Sequence, residues 1–249
     1  MRDTGNAVGG GYKNVAIGYN AFLLNDTAQQ INEYVIVMEW VEGKHLFDLV
    51  VPYAISLRQK YQIAAQICRG LLFAHSADVV HRNLNLKNIL YESSGVVKIV
   101  NFDFAKFLGA PPMGTFTLPN SMPEQFFKDY VDDLMKQRKY IAPEIRSGDG
   151  LPSYHDASKE TDLYSLGIIL LELFSGSLLE NKPSPDLDIL RPVAGLDPAA
   201  VKSIGMLCSN KVEDRKSISL DRIAKIYCAG TKYGGNPLPE LAKVPFWKI

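Results

Sequence analysis

Cysteine is scarce in this sequence, and the few cysteines present are far apart. Cys68, Cys208 and Cys228 are the only three among 249 residues. An odd number of cysteines without paired ligand spacing argues against a disulfide framework and against a zinc site. The sequence therefore predicts a protein of a reducing compartment.

The sequence also lacks net charge and any long hydrophobic run. Lys plus Arg number 27, as do Asp plus Glu, so no overall field favours nucleic acid or an anionic membrane. Residues 1–18 contain no apolar stretch of signal-peptide length, and the most apolar run, at 163–174, is too short to span a bilayer. Because 47% of the residues are hydrophobic, the chain has enough apolar side chains for a substantial core. We expect a folded cytoplasmic protein that binds neither nucleic acid nor membrane.

Two patterns divide the chain near residue 50. Residues 14–24 and 34–40 alternate or run apolar, which predicts short strands. From residue 57 onward, Ile63, Ile67 and Leu71 recur at four-residue spacing, which is typical of a helix with one apolar face. The second part of the chain is therefore predicted to be mostly helical.

Within the helical part, one hairpin and one central helix stand out. Two apolar segments at 88–91 and 96–100 flank the turn ESSG, which predicts a hairpin. Thr161 and Asp162 precede a run that is apolar on all sides and ends near Gly176, so this helix must lie inside the core. Further segments are predicted to be a loop at 108–123, a surface helix at 124–138, and short helices at 198–208 and 219–227.

Signature motifs follow one another at fixed spacing through this region. The run HRNLNLKN occupies residues 81–88, NFD follows the second hairpin strand at 101–103, and APE lies at 142–144. Their order and spacing resemble the protein kinase family. The resemblance implies an α+β protein-kinase-like fold, mainly the helical C-terminal lobe with a remnant of the small β lobe. It divides the chain into a flexible arm (1–13), a remnant of the small lobe and hinge (14–40), the C-lobe (41–227) and a tail (228–249).

The resemblance assigns four asparagines to positions that carry catalysis in kinases. Asn83 stands at the position of the catalytic base, and Asn85 at that of the catalytic-loop lysine. Asn101 opens NFD where kinases have the metal-binding aspartate of DFG, and Asn88 matches the asparagine that binds a second magnesium. A neutral amide cannot act as a carboxylate base, and it is a weak ligand for magnesium. We interpret all four as degenerate site positions, and Lys87 as a surface lysine.

Other motif residues are predicted to have structural roles. His81 and Phe102 match residues that stack in the kinase core. Arg215 matches an arginine that pairs with the glutamate of APE, here Glu144, in a buried ion pair. Asp162 matches the acid at the start of the central helix, and Arg82 is a possible partner for a phosphate. We interpret Asp103, in place of the glycine of DFG, as an ordinary loop acid.

The resemblance also implies a reduced nucleotide pocket. Residues 14–24 resemble the strand that follows the small-lobe helix, so the glycine-rich loop, the phosphate-binding lysine and the paired glutamate have no room upstream. A nucleotide would keep at most the hinge near Glu39 and Val41 and the floor near Leu90. We expect no cofactor, and ATP with magnesium only if the protein is an active kinase.

Three functional interpretations follow. The first is an inactive pseudokinase that acts as a protein-binding or scaffold module. The alternative is an ATP-dependent, Ser/Thr-like protein kinase whose small lobe is missing from this chain or supplied otherwise, with possible phosphosites at Thr115, Thr117 and Ser121. The third is a decayed or incomplete gene product without a stable fold.

Overall fold

The computed structural model describes residues 11–26, 31–51, 55–108, 136–146, 156–182 and 184–230. These residues form six α-helices: α1 (Leu46–Val50), α2 (Leu57–Ser76), α3 (Lys159–Ser175), α4 (Pro198–Leu207), α5 (Val212–Lys216) and α6 (Leu220–Gly230). They also form seven strands: β1 (Gly18–Asp26), β2 (Ile31–Met38), β3 (Gly43–His45), β4 (Val79–Val80), β5 (Ile89–Glu92), β6 (Val97–Ile99) and β7 (Lys106–Phe107). The mixture of helices and small antiparallel sheets is α+β, as the sequence predicts.

Local signals in the sequence account for both long helices. Helix α2 begins at a capping box in which the Ser56 side chain accepts from the Gln59 N–H and the Gln59 side chain accepts from the Ser56 N–H. Helix α3 is buried on nearly every side and ends at Gly176, whose φ of 73° is the left-handed conformation that favours glycine. Both helices therefore form where the apolar periodicity predicts them.

The core is centred on α3, with α2, α4 and α6 packed around it. Three aromatic rings join these helices at one end: the Tyr61 ring centroid lies 5.0 Å from that of Phe174, which lies 5.6 Å from that of Tyr227. Gly167 permits close packing of α4, because a Cβ atom there would lie 2.8 Å from the Leu207 Cβ. Burial of this continuous apolar surface is the main stabilising term of the fold.

Three small sheets lie beside the helices. In the first, β1 pairs with β2, with Phe22 opposite Val35. In the second, the order is β3-β5-β6, and Leu90 lies between His45 and Lys98. The third contains only β4 and β7. The β5–β6 pair is the predicted hairpin.

The N-terminal segment differs from the sequence prediction. The strand predicted from residue 14 begins at Gly18, and Gly11–Asn14 forms a 3₁₀ helix packed against α2. Buried Asn14 donates from Nδ2 to Gln66 Oε1 at 3.0 Å and to the Val97 carbonyl at 2.8 Å. A polar side chain with two buried partners across the chain replaces the expected strand pairing.

Several predicted features lie outside the described residues. These are most of the flexible arm, the loop at 108–123, nearly all of the helix predicted at 124–138, the tail beyond residue 230 and the three possible phosphosites. Within the described part of the chain, no helix has both the length and the apolar character needed to cross a membrane.

Candidate functional site

Asp162, on α3, anchors the start of loop 81–88. The carboxylate of this buried residue accepts from the His81 N–H at 2.8 Å and the Arg82 N–H at 2.9 Å, and Oδ2 also lies 2.8 Å from His75 Nε2. The sequence places Asp162 before the central helix, but the helix begins at Lys159, so Asp162 lies in its first turn. There the carboxylate is held against the loop rather than capping the helix. The loop thus begins at a rigid point in the core.

His81 and Arg82 connect this loop to the segment after β6. His81 Nε2 lies 2.9 Å from the Val100 carbonyl, an obligate acceptor, and Nδ1 accepts from the Asn83 N–H at 3.2 Å. This arrangement fits the neutral Nε2–H tautomer. Its ring packs against Phe102 with centroids 4.5 Å apart. Arg82, at a φ of 66°, donates from Nε to the Phe104 carbonyl.

Asn85 organises the middle of the loop. Its Oδ1 accepts from the backbone N–H of Lys87 at 2.9 Å and of Asn88 at 3.2 Å, so the side chain caps the short 3₁₀ turn Leu86–Asn88. Its Nδ2 donates to Asn83, to the carbonyl at 3.0 Å and to Oδ1 at 3.1 Å. The Lys87 side chain is exposed and lies 5.7 Å from the centre of the Phe47 ring.

Asn88 joins this loop to Asn101. Asn88 is buried and donates from Nδ2 to the Asn83 carbonyl at 2.7 Å, while its Oδ1 accepts from Asn101 Nδ2 at 2.8 Å. The four side chains of Asn83, Asn85, Asn88 and Asn101 therefore form one connected set of hydrogen bonds. We call this set the asparagine network. All four predicted site asparagines belong to it.

Glu39, in the hinge between β2 and β3, links this segment to Ile17 and to Lys98. Its N–H donates to the Ile17 carbonyl at 2.8 Å, and Oε2 accepts from the Ile17 N–H at 3.1 Å. Its Oε1 lies 2.6 Å from Nζ of Lys98, which is buried on β6. Val41 and Leu90, the other predicted pocket residues, are half-buried, and Leu90 lies opposite Lys98 in the sheet.

A second group of contacts surrounds the APE motif. Arg215 Nη2 lies 2.5 Å from Glu144 Oε1, the pairing that the sequence predicts. Buried Glu172 accepts from the Tyr140 hydroxyl at 2.5 Å and lies 2.6 Å from Lys139 Nζ. Burial and the neighbouring Glu172 carboxylate both raise the pKa of the Tyr140 phenol. These contacts hold residues 138–145 on α3.

Sequence reasoning missed Lys98, Lys139 and Glu172. The signal for Glu172 was available, because a carboxylate inside an otherwise apolar helix requires a partner. The sequence does not reveal which lysine supplies it. The side chain of Asp103 lies outside the described residues.

Residues 18–194 match the family model described as the protein kinase domain, which is more than half of the chain. This match agrees with the fold, with the anchored loop 81–88 and with the Glu144–Arg215 pair. The chain belongs to the protein kinase family.

Several curated members of the protein kinase family are similar to this chain. It is 31% identical over 165 residues to a probable serine/threonine-protein kinase of Clostridium perfringens, covering 64% of this chain and 20% of that protein. It is 30% identical over 161 residues to cyclin-dependent kinase-like 2 of Homo sapiens, covering 64% and 28%. It is 34% identical over 142 residues to serine/threonine-protein kinase PknA of Mycobacterium tuberculosis, covering 57% and 28%. The matched regions thus span about a quarter of the length of these relatives.

Protein kinases use magnesium ions to neutralise the phosphates of ATP. The residues at the corresponding positions do not fit a hard dication. Asn101 directs an N–H, not an oxygen, toward Asn88, and Asn88 Oδ1 already accepts that hydrogen bond. Among the described residues, no three His, Cys, Asp or Glu side chains are grouped as metal ligands. The amides of the asparagine network hydrogen-bond to one another and to the backbone of loop 81–88.

Proposed function

We propose that this kinase-family domain is catalytically inactive and that it acts by binding another protein. The observation that carries the proposal is the asparagine network. The side chains at the positions of the base and of the metal-binding acid are amides: Asn83 accepts from Asn85, and Asn101 donates to Asn88.

Phosphoryl transfer depends on groups that this arrangement does not supply. A carboxylate orients the substrate hydroxyl and accepts its proton, and a second carboxylate holds magnesium on the phosphates. Asn83 and Asn101 are neutral at both positions. Because loss of one preorganised electrostatic contact costs about 3 kcal/mol of transition-state stabilisation, loss of two makes turnover very slow.

The first sheet supports the protein-binding part of the proposal. Apolar side chains are exposed on one face of the β1–β2 sheet, with Phe22 at 44%, Leu24 at 42% and Val37 at 41% exposure. Trp40, just beyond β2, is 89% exposed. Adjacent exposed apolar residues are typical of surfaces that contact another macromolecule.

The direct test is a thermal-shift titration with ATP, with and without MgCl₂, together with a phosphotransfer assay on a generic protein substrate. A ligand that binds only the folded state must raise the melting temperature. We expect no magnesium-dependent shift at millimolar ATP and no transfer of phosphate. A magnesium-dependent shift accompanied by phosphotransfer would show that the domain is an active kinase.

A partner is tested with paired surface variants. Phe22→Ser with Val37→Ser removes apolar area from one face of the first sheet, whereas Lys182→Ser with Arg191→Ser changes exposed polar side chains elsewhere. We expect a protein that co-purifies at constant stoichiometry to be lost from the first double variant and kept by the second. Equal retention by both would exclude this sheet as the binding surface.

The names of the relatives favour a second candidate, an ATP-dependent Ser/Thr protein kinase. In that case the missing groups must come from additional sequence or from another protein. The phosphotransfer assay separates the two candidates, because only the second one predicts activity when cell extract or a longer form of the chain is tested.

A further inference from the structure

Backbone groups determine the orientation of the Asn85 and Asn88 amides, and these two in turn determine how Asn83 and Asn101 meet them. The Asn85 oxygen faces two backbone N–H groups, which can only donate, so its nitrogen must face Asn83. The Asn88 nitrogen faces the Asn83 carbonyl, which can only accept, so its oxygen must face Asn101. The group at Asn101 that meets this oxygen must therefore be a donor.

We propose that the Asn101–Asn88 hydrogen bond replaces a bound cation as the link that holds the segment after β6 on loop 81–88. This link requires a hydrogen-bond donor at position 101. The proposal deepens the proposed function and rests on it in one respect, that no metal–nucleotide complex occupies these positions. The consequence is counterintuitive for a kinase fold. An aspartate at position 101 should weaken the network, because it cannot donate to Asn88 Oδ1.

The destabilisation follows from the geometry. The side chain at position 101 is exposed, so in Asn101→Asp the carboxylate can turn toward solvent, which leaves the buried Asn88 Oδ1 without its donor. If the carboxylate stays in place, its oxygen lies 2.8 Å from Asn88 Oδ1 and two acceptors face each other. Rotating the Asn88 amide by 180° relieves this contact but directs its oxygen at the Asn83 carbonyl, now 2.7 Å from the amide nitrogen. Neither orientation satisfies both neighbours, and Asn88 is too buried for water to replace a partner freely.

Position 83 supplies a matched control with the same chemical change. Asn83 Oδ1 accepts from Asn85 Nδ2 at 3.1 Å, and a carboxylate oxygen accepts that bond equally well. The main-chain conformation does not bias the comparison, because Asn101 has a φ of 62°, a left-handed conformation in which both Asn and Asp are enriched. The network therefore predicts opposite results for Asn83→Asp and Asn101→Asp.

The experiment is urea denaturation of the full chain, without nucleotide or added metal, for the wild type, Asn83→Asp, Asn101→Asp and Asn101→Gly. We expect Asn101→Asp to lower the folded-to-unfolded ratio about tenfold, as for an unsatisfied buried acceptor. Asn83→Asp should stay close to the wild type. Asn101→Gly removes the donor without adding a charge and should fall between them. Equal stability of Asn101→Asp and Asn83→Asp would overturn the proposal.

A double-mutant cycle isolates the contact itself. In an Asn88→Ala background the opposing oxygen is absent, so Asn101→Asp should cost clearly less than in the wild type. If the cost is the same in both backgrounds, the contact is not responsible and the proposal fails. Should Asn101→Asp not fold, Asn101→Gly completes the same cycle, with the same criterion.

Magnesium chloride alone provides the last readout, against NaCl of equal ionic strength. We expect the wild-type melting temperature not to respond specifically to magnesium, and a specific rise would overturn the proposal. Failure of this inference is distinguishable from failure of the proposed function. The urea experiments measure the amide contact without nucleotide, whereas the proposed lack of catalytic activity is tested separately by phosphate transfer.

Discussion

Arg215 and Glu144 meet across the molecule although 71 residues separate them in sequence. The arginine side chain is fully buried and its Nη2 lies 2.5 Å from Oε1 of the glutamate, which is one-quarter exposed. Arg215 also donates to the Ser209 carbonyl, and its guanidinium lies 5.5 Å from the centre of the Tyr164 ring. The pair connects the APE motif to α5 and to the central helix.

Truncating this arginine should destabilise the fold strongly. We expect Arg215→Ala to lower the free energy of unfolding by about 4 kcal/mol, because it removes a packed side chain and leaves Glu144 and the Ser209 carbonyl without their partner. Urea denaturation measures the change. The control is Arg191→Ala, whose exposed pair with Asp188 should contribute almost nothing. Similar losses in the two variants would show that the Glu144 pair is not a buried anchor.

Neutralising Asp162 should release loop 81–88. In Asp162→Asn an N–H₂ group replaces one oxygen that accepts from His81, Arg82 or His75. We expect a loss of about 2 kcal/mol in the free energy of unfolding. Amide hydrogen exchange should become faster at His81 and Arg82.

Asp221→Asn is the control for the loop prediction, because Asp221 pairs with Lys225 at an exposed position away from loop 81–88. It should change neither global stability nor the exchange of the two loop amides. Unchanged protection of His81 and Arg82 in Asp162→Asn would contradict the anchoring role.

Adding one methyl group at Gly70 should displace the N-terminal segment. A Cβ atom there would lie 2.5 Å from the Asn14 carbonyl oxygen, which is backbone and cannot rotate away. We expect Gly70→Ala to cost about 2 kcal/mol and to increase hydrogen exchange in residues 13–17. At Gly18 no atom lies within 4 Å of the corresponding position, so Gly18→Ala should leave those amides protected. Equal exchange in both variants would argue against the contact with Asn14.

Alkaline pH should destabilise the folded protein, because buried thiol and phenol groups resist losing their protons. Burial raises the pKa of the Cys208 thiol from 9.0 to about 12, and burial also raises the pKa of Cys68 and Tyr227. A group whose pKa is higher in the folded than in the unfolded state stabilises the folded protein fully only below its unfolded pKa. This stabilisation is lost as the pH rises from about 9 toward 12. Burial lowers the pKa of Lys60, so this one group makes stability increase with pH, whereas the buried thiols and phenol make it decrease.

We therefore expect the free energy of unfolding to fall by about 1 kcal/mol per buried thiol between pH 8 and pH 10. Urea denaturation at pH 8, 9 and 10 measures the slope. Cys208→Ala should be less stable at pH 8 but should lose less on going to pH 10. A slope identical to that of the wild type would mean that Cys208 does not contribute.

Much of the fold follows from periodicity and capping signals along the chain. The spacing of Ile63, Ile67 and Leu71 predicts α2, because it gives the helix one apolar face to bury. The apolar run that ends at Gly176 predicts α3, because a helix that is apolar on all sides must lie in the core. The two apolar segments that flank the turn ESSG predict the hairpin β5–β6, and the order of the motifs indicates the family. The prediction was wrong at Asn14, where a long-range contact with Gln66 overrides the strand pattern.

For the candidate site, the sequence reveals the residue types, and the structure reveals which groups they contact. The residue types at the motif positions predict that amides stand where kinases have two carboxylates. The Asn85 and Asn88 amides are oriented by backbone groups of loop 81–88 itself. The contact between Asn88 and Asn101 forms only when the segment after β6 packs on this loop. The same is true of the lysines beside Glu39 and Glu172, because a charge requires a partner in space, and sequence distance does not identify that partner.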